Sequence, residues 1–382
     1  MHIALDARMY HIRGGHGRYL RELIRELERV DTKNRYTIIL HPEGFSTYLP
    51  ANPNFRAIAT ATPWYSFGEQ TSFVQLLRRV NANIVHFPHW NVPLLYRRPF
   101  VVTVHDLILR AYPTSAISTR NPFVFWIKYA TFRVILGRAL ARAEHIITVS
   151  ETAQDQITEY FPELTTQITA IHLGAGAPTA IANEAPGEAK QLPCFLYVGV
   201  AYPHKNLPFL LDAFHQFGIR FGRTHQLVLA GAKNLFYARL FETDTAKTLL
   251  ANGDLVFIDA PSDAELEKLY TDAEAVVCPS LIEGFGLPAL EAAARGVPVI
   301  ASRIPAFQEV LDDAALYFDP RDIESLVATF ASLREGTPGD DETISTWLLR
   351  SARNERLRTR AQQFSWRKTA EKTLEIYNAL LH

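Results

Sequence analysis

The sequence predicts an α/β protein with two doubly wound parallel sheets in two domains, and three observations point there. Short apolar runs recur along the chain with amphipathic helical stretches between them, the alternation a parallel sheet covered by helices on both faces requires. A length of 382 residues exceeds what one ordinary core accommodates and suits two. Finally, a compact unit near the end reads as a strand at 275–278, a glycine-bearing loop, a short helix and a second strand at 297–301.

In the first half, a strand at 2–6 passes through Gly14-Gly15-His16-Gly17 into a periodic helix at 18–30. Strands follow at 37–40 and 55–59, then a helix at 68–80, then strands at 83–87, 100–104 and 145–149. Ser150 caps a helix at 151–160. His105-Asp106 stands just past the strand at 100–104, where a side chain projects into the crevice in which open parallel sheets collect ligands. Residues 121–143 form a helix in which Phe123, Phe125, Trp126, Tyr129 and Phe132 alternate with Lys128, Arg133, Arg138 and Arg142. That pattern suits a core helix with one wet face, and also a helix lying on a membrane.

Residues 174–192 are rich in Ala, Gly and Pro and carry no apolar period, which marks a linker. The expected division is a first domain over 1–176, a linker over 177–192 and a second domain over 193–366. The second domain opens with a strand at 194–199 ending in Gly199. Lys205 then sits at a helix start, where ammonium and helix dipole together can hold a diphosphate. Strands at 226–231 and 255–258 and a helix at about 264–270 follow, and the polar stretch 335–342 reads as a flexible insertion before the last helices.

The unit at 279–302, PSLIEGFGLPALEAAARGVPVIAS, carries the chemistry. Pro288 suits the first helical position, and Gly296 with Pro298 stops the helix. Gly284 and Gly286 let the backbone approach a ligand, and the N–H groups of Phe285, Gly286 and Leu287 at the helix start favour an anion. Two carboxylates, Glu283 and Glu291, would repel a phosphate there unless they face hydroxyls. A sugar nucleotide meets that condition, with backbone N–H groups on the phosphates, Glu283 on sugar hydroxyls and Glu291 on ribose hydroxyls.

Composition is that of an ordinary globular protein, 48% apolar and 21% charged, with a net charge of −1. The balance hides an asymmetry of about +6 over residues 1–180 and about −7 over 181–382. A basic first half without a dense basic run fits a membrane surface or acidic acceptor and gives no support to nucleic acid. The two cysteines, Cys194 and Cys278, lie beside apolar strands in no metal or redox spacing and read as buried reduced thiols. The chain begins on a strand with no apolar leader, and no run is long enough to span a bilayer, so a cytoplasmic location is expected, with peripheral contact at the inner face of the membrane.

The words EGFGLPALE, with Glu283 and Glu291 eight positions apart, resemble the signature of retaining glycosyltransferases of family 4, also called group 1. That resemblance implies the GT-B fold: two Rossmann-like domains facing each other across a cleft, with a C-terminal helix, about 367–382, crossing back to the first domain. GHGRY is similar to the family's GxGRY word, which implies that Gly15 and Gly17 face donor phosphates and acceptor. VTVHDL resembles its THD word, which implies that His105 contacts the donor sugar, while His86 and His89 are further candidate acceptor contacts. The segment VGVAYPHKN resembles the family's VG…PRKN, which places Gly199 and Lys205 at the donor. Many members carry arginine where this chain has Val200, so phosphate neutralisation falls on Lys205 with His204 beside it.

The resemblance implies a metal-independent retaining transferase, with catalytic residues His105, Lys205 and Glu283 and substrate contacts at Gly15, Gly17, Gly199, Phe285, Gly286, Leu287 and Glu291. The partners are a nucleotide-sugar donor and a glycan or lipid-linked acceptor, and no cofactor or metal is expected because no Asp-x-Asp word occurs. The PHKN and THD-like words resemble mannosyltransferase-type members, which favours mannose from GDP-mannose in cell-surface polysaccharide synthesis. A UDP-hexose transferase and a non-catalytic sugar-nucleotide-binding subunit are the alternatives. A dinucleotide-dependent oxidoreductase is disfavoured, because neither domain carries the full glycine fingerprint with its ribose carboxylate.

Overall fold

The computed structural model describes residues 1–113, 122–176, 192–334 and 343–380. Its described strands form two sheets, both parallel throughout. The first contains β1 (His2–Ala7), β2 (Arg35–Leu40), β3 (Phe55–Ala59), β4 (Ile84–Phe87), β5 (Phe100–Val104), β6 (His145–Thr148) and β7 (Ile168–Ala170), ordered β3-β2-β1-β4-β5-β6-β7. The second contains β8 (Cys194–Val198), β9 (Gln226–Gly231), β10 (Leu255–Asp259), β11 (Ala275–Cys278), β12 (Val299–Ser302) and β13 (Leu316–Phe318), ordered β10-β9-β8-β11-β12-β13. Both are the doubly wound arrangement, so each sheet has one point where the strand order reverses: β1 against β4, and β8 against β11. The predicted fold class of two Rossmann-like units is the one observed.

The chain divides into two compact units, Met1–Gly174 with Phe364–His382, and Ala175–Gln363. All of the predicted linker except Leu192, and the predicted insertion at 335–342, lie outside the described residues. In the first unit Val85, Phe87, Phe100, Val102 and Ile146 from the strands meet Phe132, Leu136 and Leu140 of helix Pro122–Arg142. That helix buries one stripe and leaves Trp126, Ile127 and Val134 about half exposed, so it is a core helix with an outer face that is partly apolar. In the second unit Phe195 of β8 stacks on Phe330 at 4.6 Å, joining helices Leu207–Phe221 and Ile323–Arg334 over one face of the sheet.

The last helix, Trp366–Ala379, belongs to the first unit for identifiable reasons. Ser365 caps it by accepting from the Lys368 N–H, and Trp366, Ala370, Thr373 and Tyr377 form its buried stripe. A Cβ on Gly174 would lie 2.2 Å from the Trp366 backbone nitrogen, so glycine permits the close approach. Thr369 Oγ1 donates to the His172 carbonyl at 2.7 Å. Tyr377 reaches His86 Nδ1, and the other ring nitrogen of His86 lies 2.7 Å from Thr103 Oγ1. His86 is therefore not an acceptor contact: it is fully buried on β4 with both nitrogens occupied.

Several short elements departed from expectation. Helices Pro42–Thr47, Ile108–Ala111, Leu235–Phe241 and Asp244–Ala251 and strand β7 have too few residues to show a period. The helix expected at 18–30 begins at Gly15, and the one expected at 68–80 opens with a π-helical turn, Glu69–Phe73. Pro288 is the second helical residue, because Gly286 rather than Leu287 caps the helix.

Burial pushes His86 down to about 3, whereas the unfolded chain binds its proton near 6.5. The unfolded state therefore takes up a proton that the folded state refuses, and stability contributed by neutral His86 is complete above pH 6.5 and declines below it. Calorimetry should find the first unit's thermal midpoint falling by about 5 °C or more between pH 7 and pH 5. His86→Gln, which cannot protonate, should make that slope shallower by one histidine's share, the other buried histidines supplying the rest, and parallel slopes for the two proteins would refute the assignment.

Candidate active site

In the second unit the strand order reverses between β8 and β11, and the loops leaving those two strands meet. The first runs through Gly199 and the tight turn Pro203–Lys205 into helix Leu207–Phe221. The second runs from Pro279 to Gly286 and enters helix Leu287–Arg295. Leu281 N–H donates to the His204 carbonyl at 2.8 Å, and Lys205 Nζ lies 2.6 Å from Glu283 Oε1. Ser280 Oγ donates to the same carboxylate oxygen at 2.6 Å. Burial pushes the Glu283 carboxyl up, but the Lys205 ammonium, followed by the hydrogen bonds from Lys205 and Ser280, brings it below its ordinary 4.5. Glu283 is thus an ionised carboxylate in a largely buried position.

Beside this pair stands a helix start. Gly286 adopts φ 101°, a left-handed conformation, and a Cβ there would also approach the Phe307 ring to 2.7 Å. The first intrahelical bonds run from Ala289 and Leu290 to the Gly286 carbonyl, so the N–H groups of Gly286 and Leu287 precede them. Phe285, just before the helix start, is buried. Glu291 is 4% exposed, and its Oε2 accepts from Tyr270 OH at 2.8 Å. His204 departs from expectation. Burial, then the neighbouring Lys205, pushes it down to about 4, so it carries no charge for phosphate neutralisation at neutral pH.

The first unit gathers histidines at the carboxyl edge of its sheet. His105 Nε2 lies 3.0 Å from the Pro88 carbonyl, to which it donates, leaving Nδ1 as an acceptor. His16 and Tyr19, both from the helix that follows the glycine loop, present their rings to His105 at 4.7 Å, and His16 also meets His89 at 5.2 Å. Burial holds His105 well below its ordinary value, and His16 and His89 reinforce the shift. Burial likewise pushes His89 down to about 3. Asp106, next to His105, accepts from the Ile108 N–H at the start of the short helix there.

The glycines of this loop differ in kind. A Cβ on Gly17 would lie 1.8 Å from the Ile12 carbonyl oxygen, so packing alone demands glycine. Among the described residues, a Cβ on Gly15 would meet nothing within 4 Å. Gly199 combines φ 149° with a would-be Cβ 3.0 Å from Tyr197 OH.

Sequence reasoning missed several members of these groups. Ser280 lay inside the unit singled out, but its hydroxyl had no visible partner. Tyr270 and His16 carried no motif of their own. A buried ionic group also went unseen: Arg8 binds Asp6 and Glu69, each at 2.7 Å, and Glu69 accepts from Asn91 at 2.8 Å. This group stands where β1 ends, beside a small recess of about 10 Å³ lined by Asp6, Met9, Trp64, Pro88, His89 and Asn91. The thiols bring no nucleophile, since burial pushes Cys278 up to about 12 and Cys194 to about 11.

Two Rossmann-like units, each with polar side chains gathered at the carboxyl edge of its sheet, form the α/β architecture that binds ligands at that edge. Residues 13–175 match the model of Glycosyltransferase Family 4, and residues 180–345 match that of the glycosyl transferases of group 1; the chain belongs to this family of transferases. It is similar to the O-antigen chain mannosyltransferase RfbU of Salmonella typhimurium, 29% identical over 272 residues that cover 71% of this chain and 70% of that protein. O-antigen chain mannosyltransferase B of Escherichia coli is 28% identical over 315 residues, 80% of this chain and 76% of that protein. Among solved structures, sucrose-phosphate synthase of Thermosynechococcus elongatus shares the fold with a TM-score of 0.77 at 20% identity, covering 100% of this chain and 99% of that one.

The Lys205–Glu283 pair can be tested apart from activity. Lys205→Met leaves a buried carboxylate without its cation and should destabilise the second unit by about 2–4 kcal/mol. The double variant Lys205→Met/Glu283→Gln should recover most of that loss in denaturant unfolding. Additive losses would show that the two side chains do not interact.

Proposed function

We propose that this chain is a metal-independent retaining glycosyltransferase that moves mannose from GDP-mannose to a saccharide or lipid-linked acceptor hydroxyl in cell-surface glycan synthesis. The observation that carries this reading is the ionised Glu283 held by Lys205 beside the N-terminus of helix Leu287–Arg295. A carboxylate suits sugar hydroxyls, and the adjoining N–H groups suit a diphosphate. The mannose donor is supported by the names of the two relatives, both mannosyltransferases of O-antigen chains.

On this reading the diphosphate occupies the N–H groups of Gly286 and Leu287, and Lys205 turns from Glu283 to a phosphate oxygen as the donor arrives. Glu283 then accepts from sugar hydroxyls, and Glu291, steadied by Tyr270, faces the ribose. Neutral His105 donates to Pro88, so its Nδ1 accepts from a sugar hydroxyl. The bond from the anomeric carbon to the diphosphate oxygen breaks, and the acceptor oxygen bonds the same carbon on the same face. The acceptor's proton passes to the leaving diphosphate, whose growing negative charge Lys205 and the backbone N–H groups stabilise. Gly15, where a Cβ would meet nothing among the described residues, is proposed to lie against substrate, whereas Gly17 is explained by packing.

A thermal-shift titration against GDP, UDP, ADP and their sugars, with and without magnesium, tests the donor. GDP-mannose without metal should stabilise the protein by about 2.7 kcal/mol at a hundredfold excess over its dissociation constant. Stabilisation by uridine nucleotides instead would replace the donor with a UDP-hexose, and no response to any nucleotide would overturn the site. Glu283→Ala should lower turnover by about a hundredfold or more with the fold intact; wild-type turnover would remove Glu283 from the mechanism. A non-catalytic subunit remains the second reading, because Val200 and neutral His204 bring no positive charge to the phosphates. Slow donor hydrolysis without acceptor would exclude it.

Peripheral membrane contact is proposed for the outer face of helix Pro122–Arg142, where Trp126, Ile127 and Val134 are 51%, 54% and 53% exposed beside Lys128 and Arg133. Among the described residues no helix is long and apolar enough to cross a membrane. Cosedimentation should favour phosphatidylglycerol over phosphatidylcholine vesicles, and Trp126→Ser with Ile127→Ser should weaken it about tenfold. Equal binding to both lipids, or binding unaffected by the substitutions, would count against this face.

A further inference from the structure

A second cluster of titratable side chains lies in the first unit, away from the histidines at β4 and β5. His11 sits in the loop that leaves β1, His41 caps helix Pro42–Thr47 just after β2, and Glu43 lies in that helix's first turn. β1 and β2 are adjacent and parallel, so their carboxyl ends bring the two segments side by side. The His11 and His41 rings stack with centroids 4.6 Å apart and planes inclined by 24°. His11 Nε2 lies 3.7 Å from Glu43 Oε2.

We propose that His11, His41 and Glu43 bind a divalent first-row transition-metal ion, with zinc the reference case. One ligand atom from each of the three lies within 4.8 Å of the others. Tetrahedral zinc, with bonds of about 2.0–2.1 Å, holds its ligand atoms roughly 3.3 Å apart, so closure needs shifts of up to about 1.5 Å. The Glu43 side chain, 73% exposed, is able to supply such a shift. The donor set of two imidazoles and one carboxylate suits zinc, cobalt or nickel, with water completing the shell.

Two further observations favour a ligand over simple packing. The Nδ1 atoms of both His11 and His41 are buried and have no hydrogen-bond partner among the described residues, whereas buried polar atoms in folded proteins ordinarily have one. In addition, the loop is held in place on both sides of His11. The Arg21 guanidinium donates to the Tyr10 carbonyl at 2.7 Å and to the Ile12 carbonyl at 3.2 Å. The helix seats closely against the loop, since a Cβ on Gly44 would lie 3.6 Å from the His11 backbone nitrogen. An ion here would tie the loop leading to Gly14 and Gly15 to the end of the neighbouring strand. It would take no part in glycosyl transfer, and the proposal is independent of the donor assigned above.

The test is titration of chelator-treated full-length protein with Co²⁺, read by visible d–d absorption, followed by displacement with Zn²⁺. Wild type should bind one equivalent in a low-coordinate site at micromolar concentration or below, and Zn²⁺ should raise its thermal midpoint by several degrees. His11→Asn and His41→Asn should each abolish the band. Glu43→Gln, at an exposed position where folding is not at stake, should weaken binding about tenfold or more. A spectrum of aqueous cobalt alone up to millimolar concentration would overturn the site. So would unchanged binding in the double variant His11→Asn/His41→Asn, or unchanged affinity in Glu43→Gln.

Discussion

The site in the second unit depends on one ion pair. An isolated carboxylate at the position of Glu283 would be neutral, because taking its charge out of water is too costly. Lys205 reverses that outcome, and it can do so because the loops after β8 and β11 converge where the strand order reverses. Ser280 adds a hydrogen bond to the oxygen that Lys205 contacts. The pair carries no net charge, so it makes a polarised surface rather than an anion trap. Beside it, the N-terminus of helix Leu287–Arg295 adds the positive end of a helix dipole.

The first unit uses burial in the opposite sense. His86, His89 and His105 are all kept neutral, and neutral imidazoles supply one donor and one acceptor in fixed tautomers. For His86 both nitrogens serve the fold, binding β5 and the last helix to β4. For His105 one nitrogen is used by Pro88, which sets the tautomer of the other. The same physical effect therefore makes one histidine structural and leaves its neighbour with an acceptor to offer.

The architecture was legible because parallel strands buried on both faces are short apolar runs, as at 84–87, 100–104 and 275–278. The stretch from Glu283 to Glu291 was legible because glycine, proline and alanine each have a local role there. What could not be read were contacts between residues distant in sequence. Lys205 and Glu283 are 78 positions apart, and His86 and Tyr377 are 291 apart. No local pattern encodes either meeting. The Arg8, Asp6 and Glu69 group was hidden for a further reason: charged residues ordinarily signal exposure, and only their mutual pairing makes burial tolerable.

Glycines show how a motif mixes causes. In GGHG, Gly17 is required by the Ile12 carbonyl whatever the protein does, while no contact among the described residues requires Gly15. At the other loop, Gly286 is required by its backbone conformation and by Phe307, yet that same conformation is what turns the chain so that the helix begins at Leu287. A substitution at Gly17 or Gly286 would therefore disturb folding and any ligand contact together, whereas one at Gly15 would leave the fold unstrained. Of Gly15, Gly17 and Gly286, only Gly15 has neither a packing contact among the described residues nor a left-handed backbone to demand glycine.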